Sequence, residues 1–249
     1  MKNLKKLSLL IITGLVVFFS CQKRNNSSIQ LEGRFVNQSF LDQVKNSPLN
    51  YIPQYCTSIT FIKDSVEIEN GYETYKLPYT RNKNIYTIKD AFQNDGKIND
   101  LILKATTDST FISKDSLYTT VATNSKFIKV KSSNFNQKLN QAVLVGSYKI
   151  TFPKEAEGKI IKFNKEGGIE NFKPYNFYEL PYSGDGAEMI DTDAKMNAIY
   201  FFPRTLLYGW KYADNKKDII LYNVSPPIRD IKGGRKVLKK AYELEKIDR

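Results

Sequence analysis

The chain has 249 residues, of which 41% are hydrophobic and 13% aromatic, and its formal net charge is +12. Such a composition can bury a sizeable core, which excludes wholesale disorder, and the length fits one large domain or two small ones. The chain contains no histidine. Ser-His-Asp and Cys-His catalysis, imidazole metal sites and the usual neutral-pH general base are therefore excluded.

The first residues have the pattern of a secretion signal. A basic head, MKNLKK, precedes the apolar run LSLLIITGLVVFF, which ends at Ser20 and Cys21. This run is too short to predict a membrane span. The sequence Phe18-Phe19-Ser20-Cys21 resembles the lipobox of bacterial lipoproteins, although that box prefers Leu and Ala or Val where this chain has Phe18 and Phe19.

The resemblance implies a signal peptide over residues 1–20 and acylation of Cys21, palmitate included, so that the protein is held at the membrane by lipid. Several acyl chains anchor durably, because each buried methylene group contributes about 0.8 kcal/mol. The polar stretch that follows predicts a flexible tether over residues 21–28. In these lipoproteins an aspartate after the cysteine retains the protein at the inner membrane. Gln22 stands there, which favours the outer membrane and leaves the side open.

An ordinary signal peptide, or an uncleaved anchor with Cys21 incidental, is the alternative. With Cys21 lipidated, Cys56 is the one cysteine left, so an intramolecular disulfide and thiolate zinc sites are excluded. Cys56 is predicted to be a buried apolar residue rather than a nucleophile. The glycine pairs in NKEGG and IKGGR lack the phosphate-binding pattern, and no cofactor is expected.

A similar phrase occurs twice, as YETYKLPYT at residues 72–80 and YNFYELPYS at residues 175–183. An alignment on this phrase pairs Phe61 with Phe163, Ile68-Glu69-Asn70 with Ile169-Glu170-Asn171, and Leu77-Pro78-Tyr79 with Leu180-Pro181-Tyr182. Further out it pairs LEGRF with LVGSY, DLIL with DIIL, and KFIKVK with YELEKI. It predicts a tandem duplication, with a first β module at 29–132, a linker at 133–142 and a second β module at 143–249. Chance similarity between β-rich stretches is the alternative.

Each module contains short runs rich in Ile, Thr, Phe and Tyr, separated by Asp, Asn, Gly or Lys-Asp turns. Such runs predict an all-β fold, and their spacing is typical of small antiparallel barrels or sandwiches. Both modules open with Leu-x-Gly-x-aromatic, at Leu31 and at Leu144. This opening resembles that of lipocalin-like domains, which have Gly-x-Trp there, and it implies two lipocalin-like barrels in tandem. Neither copy has that tryptophan. One larger barrel or sandwich formed jointly by both modules is the alternative.

Proline in the repeated Leu-Pro-Tyr predicts that the strand ends there or lies at a sheet edge. Two segments are predicted to be helical: SFLDQVKNS with Ser39 as its cap, and SSNFNQKLNQAVLV, which spans the linker and has Phe135, Leu139 and Val143 at helical spacing. The last segment fits a helix by its spacing. Its alignment with the end of the first module favours a final strand from about Tyr242.

The stretch ELPYSGDGAEMIDTDA concentrates the acids Glu179, Asp185, Glu188, Asp191 and Asp193. Glu179 and Asp185 are the candidate pair for hydrolysis of a glycosidic bond. Asp185, Glu188, Asp191 and Asp193 are candidate Ca²⁺ ligands, although their spacing matches no EF-hand loop. A solvated loop is the favoured interpretation, because charged turn residues are what loops ordinarily contain.

Basic residues are frequent near the C-terminus, and they could face anionic headgroups or lipopolysaccharide phosphates. They are Arg229, Lys232, Arg235, Lys236, Lys239, Lys240, Lys246 and Arg249. Solvated lysines on a soluble surface are the favoured interpretation, and a nucleic-acid partner does not fit a secretion signal.

The sequence predicts a non-enzymatic, lipid-anchored cell-envelope protein that binds an apolar small molecule or an envelope partner. A carboxylate-dependent glycan hydrolase and an accessory scaffold subunit of an envelope complex are the alternatives.

Overall fold

The structure is a computed structural model, and it describes residues 28–52, 56–71, 73–94, 97–115, 123–182, 190, 195–228 and 234–247. Within these ranges the chain folds into two eight-stranded antiparallel sheets with a short helix between them along the chain. The prediction of an all-β protein with two small barrel or sandwich modules is confirmed.

The first sheet is a closed barrel in which every strand pairs with the next one along the chain. Its strands are β1 (Gly33–Asn37), β2 (Ser58–Ile62), β3 (Ser65–Glu69), β4 (Thr74–Asn82), β5 (Ile85–Asn94), β6 (Lys97–Thr107), β7 (Thr110–Asp115) and β8 (Thr123–Val130). Pairing of β1 with β8 closes the barrel, with Phe35 opposite Lys129.

The second sheet repeats this order. Its strands are β9 (Gly146–Phe152), β10 (Ile160–Phe163), β11 (Ile169–Glu170), β12 (Phe177–Glu179), β13 (Asn197–Phe202), β14 (Leu206–Tyr212), β15 (Ile219–Val224) and β16 (Val237–Lys246). β9 pairs with β16, with Tyr148 opposite Lys246. The two edges, β11 and β12, are joined by one bridge between Gly168 and Phe177.

The first barrel has its own core of inward side chains. Phe35 contacts Phe61 and Phe111 at ring-centroid distances of 5.7 and 5.1 Å, and Phe111 stacks on Phe127 at 4.8 Å. Eight strands leave an interior just wide enough for side chains to fill. Cys56 is buried in this core, as predicted.

The second core lies under β9–β16 and extends into the first half of the chain. Trp210 is fully buried there, and its indole N–H donates to the carbonyl of Ala198 at 3.0 Å. The same core includes Phe40 from helix α1 (Gln38–Gln43) and Phe135 from helix α2 (Phe135–Val143), whose rings lie 5.4 Å apart. The two sheets therefore share a hydrophobic core through these helices.

Both predicted helical segments contain helix, but the predicted cap of the first was wrong. The side chain of Asn37, not of Ser39, accepts the N–H of Phe40 at the start of α1. The hydroxyl of Ser39 instead accepts the N–H of Lys126. Helix α2 begins at a capping box in which Asn134 and Gln137 each accept the other's backbone N–H, an arrangement that satisfies two otherwise unpaired donors.

The C-terminal segment forms strand β16 from Val237, earlier than the predicted start near Tyr242. Its extended geometry overrides the helical spacing of its apolar residues, because the strand pairs on both sides, with β15 and with β9. Propensity is a weak prior against such tertiary context.

Strand register supports part of the sequence alignment. Gly33 faces Phe61 in the first barrel, as Gly146 faces Phe163 in the second sheet. Val66 also faces Phe61, so Ile169, which faces Phe163, takes the place of Val66 rather than of Ile68. The DLIL run lies in β6, and the Ile-Ile-Leu of the DIIL run lies in β15; these are the sixth and seventh strands of their sheets. That pairing was wrong, and a duplication of sequence stays a prediction.

The repeated Leu-Pro-Tyr has different positions in the two sheets. In the second sheet β12 ends at Glu179, immediately before Leu180, as the proline predicted. In the first, β4 continues through Pro78, so the predicted end was wrong. Pro78 is the last β4 residue paired with β3, and Tyr79 begins the pairing with β5. Proline has no N–H to donate, and it fits at the position where β4 stops pairing with β3 and begins to pair with β5.

Candidate binding cleft

Most of the predicted site residues lie outside the described residues. These are Cys21, Asp185, Glu188, Asp191 and Asp193. Glu179 is described: it is the last residue of β12, and its side chain is exposed. Within the described ranges, no three His, Cys, Asp or Glu side chains come together in a group that could hold a metal ion.

The basic C-terminal segment is part of the second sheet where the structure describes it. The ammonium group of Lys246 donates to the carbonyl of Val145 at 3.0 Å, and that of Lys240 donates to the carboxylate of Glu243 at 2.6 Å. Arg229, Lys232 and Arg249 lie outside the described residues. Two of the lysines are thus engaged in contacts within the protein.

A cleft of about 450 Å³ lies between the two sheets, beside the edge strand β12. The lining comes from the turn at Gly71 before β4, the first two turns of helix α2, Lys165 with Glu166, and the run from Phe177 to Tyr182, with Tyr200 beside it. Its volume is in the range of small-molecule sites, which are commonly found where domains meet.

The cleft depends on a close approach of backbone at the edges of the second sheet. Gly167 has a φ of +93°, and a Cβ built on it would lie 2.6 Å from the ring of Phe177. The N–H of Tyr178 donates to the carbonyl of Gly167 at 2.7 Å. Only glycine combines this φ with this approach, so Gly167 holds β12 at the wall of the cleft.

Two buried tyrosines form the inner wall. The hydroxyl of Tyr178 donates to the carbonyl of Asn164 at 2.8 Å, and that of Tyr182 donates to the side-chain oxygen of Asn136 at 2.9 Å. Burial raises the pKa of both hydroxyls well above the ordinary value for tyrosine. Both therefore remain protonated donors at neutral pH.

The outer wall carries the aromatic rings of exposed Phe177 and half-buried Tyr200, and half-buried Phe202 continues this surface just outside the cleft lining. Phe177 is 43% exposed although it belongs to a strand, and it faces Phe202 across the ladder with ring centroids 6.0 Å apart. On the same two strands Glu179 faces Tyr200, and the rings of Tyr200 and Phe202 are 6.5 Å apart. These three rings, Phe177, Tyr200 and Phe202, are called the aromatic strip below.

Amide side chains on helix α2 face the cleft in fixed positions. The oxygen of Asn136 is held by Tyr182, and the oxygen of Gln137 accepts the N–H of Asn134 at 3.1 Å. Within the described residues, the amide nitrogens of Asn136 and Gln137 have no hydrogen-bond acceptor. They are donors available to a ligand on a rigid element.

A second cavity, of about 270 Å³, continues the cleft towards the first barrel and shares Gly71, Asn136 and Tyr182 with it. Arg34 and Glu69 line this extension and form an ion pair at 3.1 Å. The extension therefore contributes a compensated pair together with a further carboxylate, that of Glu73.

The cleft and a third cavity, which also lies between the two halves of the chain, have linings of opposite predominant charge. The cleft lining has one basic residue, Lys165, and two acids, Glu166 and Glu179. The third cavity, of about 340 Å³, is lined by Lys45, Lys195, Lys211 and Lys216 with one acid, Asp214. In a protein of net charge +12, the cleft is locally acidic.

Neither helix in the part of the chain that the structure describes has the length and apolar character needed to cross a membrane. Comparison of the chain with models of known protein families, with curated proteins and with solved structures finds no match in any of the three.

Proposed function

We propose that this protein is a lipid-anchored, non-enzymatic binding protein of the cell envelope, which holds an envelope partner in the cleft between its two sheets. The observation that carries the proposal is the cleft itself, where exposed Phe177, half-buried Tyr200 and available amide donors lie between two sheets that share a core. Exposed aromatic side chains beside a few fixed polar groups are typical of ligand sites.

An apolar ligand inside the first barrel is disfavoured. Phe35, Phe61, Phe111 and Phe127 contact one another across the described interior. Aromatic side chains of this size fill the interior that eight strands enclose. The cleft, by contrast, offers open volume beside ordered donors, which favours a partner bound there.

The position of the tether fits this arrangement. The described chain begins at Ser28, seven positions after Cys21, and the N–H of Ile29 donates to the side chain of Asn84 at 2.9 Å. Asn84 lies just beyond the end of β4, whereas Thr74 at its start lines the extension of the cleft. Nine extended residues span about 27 Å. The described chain thus starts near the end of β4 that lies away from the cleft.

Lipid attachment is tested by the mass of the N-terminal peptide of the protein purified from its host. We expect residue 21 to be the first residue and to carry acyl chains, and we expect Cys21→Ser to remove the protein from the membrane fraction. An unmodified or uncleaved N-terminus would contradict the anchor.

Binding at the cleft is tested by identifying, by mass spectrometry, molecules that co-purify with the protein. The double variant Phe177→Leu/Tyr200→Leu should lose them, whereas Phe152→Ala should keep them. Phe152 is a suitable control because it is an exposed phenylalanine of the same sheet, 37% exposed and outside the cleft. Identical co-purifying molecules in all three proteins would reject the cleft as the site.

A carboxylate-dependent glycan hydrolase is the second candidate, because Glu179 and Glu166 line the same cleft. Hydrolysis needs one acid to protonate the leaving oxygen and a second to act as base or nucleophile. The assay is release of reducing ends from oligosaccharides by wild-type protein and by Glu179→Gln. Release that is lost in Glu179→Gln would favour the hydrolase over the non-enzymatic function.

A further inference from the structure

The chemistry of the cleft identifies a class of ligand, and this inference rests on the proposed function of the cleft as a binding site. We infer that the cleft binds a neutral glycan, with a sugar ring stacked on the aromatic strip and its hydroxyl groups bonded to amides and carboxylates.

The aromatic strip offers flat apolar faces in an otherwise polar place. Phe177 and Phe202 lie side by side across the β12–β13 ladder, and Tyr200 follows on the same face. One face of a pyranose ring is lined by C–H groups and is apolar. It can lie on an aromatic face, whose quadrupole is negative and attracts the slightly positive C–H hydrogens.

Sugar edges require many neutral hydrogen bonds, and the cleft supplies both donors and acceptors. The amide nitrogens of Asn136 and Gln137 are donors, each held in place because the oxygen of the same amide is already bonded within the protein. The carboxylates of Glu166 and Glu179 are acceptors for hydroxyl groups. Groups that are ordered before binding lose little entropy when the ligand arrives.

Local charge disfavours the anionic ligands that stack on aromatic rings. Nucleotides and anionic polymers carry phosphate or carboxylate groups, which require nearby cations. The cleft has Lys165 alone, paired with Glu166 at 3.7 Å, while lysines gather in the third cavity instead. An anionic ligand would be attracted there and disfavoured beside Glu179. A neutral glycan fits the aromatic ring faces, the amide donors and carboxylate acceptors, and the acidic lining of the cleft.

The test is titration calorimetry of the full-length protein in detergent against neutral tetrasaccharides of chitin, cellulose, starch and mannan type. We expect at least one to bind, and an anionic tetrasaccharide of polygalacturonate type to bind at least tenfold more weakly. Phe177→Leu, which keeps apolar volume but removes the flat ring, should weaken binding at least tenfold. Phe177→Tyr should restore it, and Phe152→Ala should bind as the wild type does.

Asn136→Leu provides a second test if Phe177→Leu fails to fold, as checked by the fluorescence of buried Trp210. It removes an amide donor from helix α2, and with it the acceptor of the Tyr182 hydroxyl, while leaving β12 unchanged, and we expect at least fivefold weaker binding. Absence of binding by all neutral tetrasaccharides, or equal affinity of wild type and folded cleft variants, would overturn the glycan inference. Cleft-dependent co-purification of a molecule that is not a glycan would overturn it and leave the proposed function standing.

Discussion

The first barrel and the second sheet have the same strand order, and they differ most at their third and fourth strands. β3 and β4 have 5 and 9 residues, whereas β11 and β12 have 2 and 3. The first pair makes a continuous ladder from Glu69 to Ser65, and the second pair is joined by one bridge. The shortened strands leave an edge, and the cleft lies beside it.

The difference extends to the cores. The core of the first barrel is built from residues 29–127, all in the first half. The core of the second sheet includes Phe40, Leu49 and other residues of the first half. The N–H of Leu49 also donates to the side chain of Asn197 at 2.6 Å. The second sheet thus depends on the first half for part of its core, and the shared region borders the cleft.

The largest effect is expected for Trp210→Ala, which tests the core of the second sheet. The side chain is fully buried, and its loss also leaves the carbonyl of Ala198 without its donor. We expect the free energy of unfolding to fall by about 3–5 kcal/mol. Denaturant titration followed by circular dichroism measures the change. Destabilisation no larger than that of exposed Phe152→Ala would contradict this core.

Phe40→Ala tests whether the second core includes the first half. Phe40 belongs to α1, yet its ring lies 5.4 Å from that of Phe135 and 6.0 Å from that of Tyr182. We expect a loss of about 3 kcal/mol, visible in the unfolding transition of Trp210 fluorescence although Trp210 is in the other half. An unchanged Trp210 transition would show that the sheets unfold independently.

Gly167→Ala tests the backbone approach at the edge of the second sheet. The new Cβ would meet the ring of Phe177 at 2.6 Å and the carbonyl of Tyr178 at 2.9 Å, besides the strain of a positive φ. We expect a loss of about 2–3 kcal/mol. Gly158→Ala is the control, since its φ is +83° but nothing lies within 4 Å of the new Cβ. It should cost about 1–2 kcal/mol, and equal losses would remove the steric explanation.

The smallest effect is expected on the exposed outer face of the first barrel. A hydrogen bond from Lys89 at 2.6 Å, and a second from the N–H of Asp90, hold the pKa of Asp100 below its ordinary value. Lys89→Met should raise that pKa towards the ordinary value, as measured by carboxyl NMR titration. An unchanged pKa would contradict the pairing.

The lowered pKa of Asp100 determines how the stabilisation by the Lys89–Asp100 pair depends on pH. The pair stabilises the folded state above the unfolded pKa of Asp100, and this contribution is lost as the pH falls through the folded value. Because the pair is exposed, its effect on stability should be small and should weaken with salt.

The sequence predicts the strands well where the pattern reports inward and outward positions. Gly33 and Gly146, with Phe61 and Phe163 opposite them, were aligned correctly because each first hairpin has the same register. The Leu-Pro-Tyr phrase misled because proline fits both the end of β12 and a change of ladder partner within β4. The local amino-acid sequence does not determine which neighbouring strand a strand pairs with.

The cleft could not be predicted from sequence, with the exception of Glu179. Its lining comes from segments around residues 71, 136 and 178, which are brought together only by packing of the two sheets. Phe177 and Tyr200 look like ordinary strand residues, because exposure depends on the missing neighbour at the sheet edge. The one usable signal was the amide-rich sequence of α2, NFNQKLNQ, which was interpreted as a linker.

Hydrogen–deuterium exchange of the full-length protein, with and without the tetrasaccharide that binds it, shows directly whether the cleft is the binding site. We expect protection of the backbone around Gly71, in helix α2, at Lys165 and Glu166 and over residues 177–182, with none on the outer face of β5, β6 and β7. Protection confined to the first barrel, with exchange at the cleft unchanged, would contradict it.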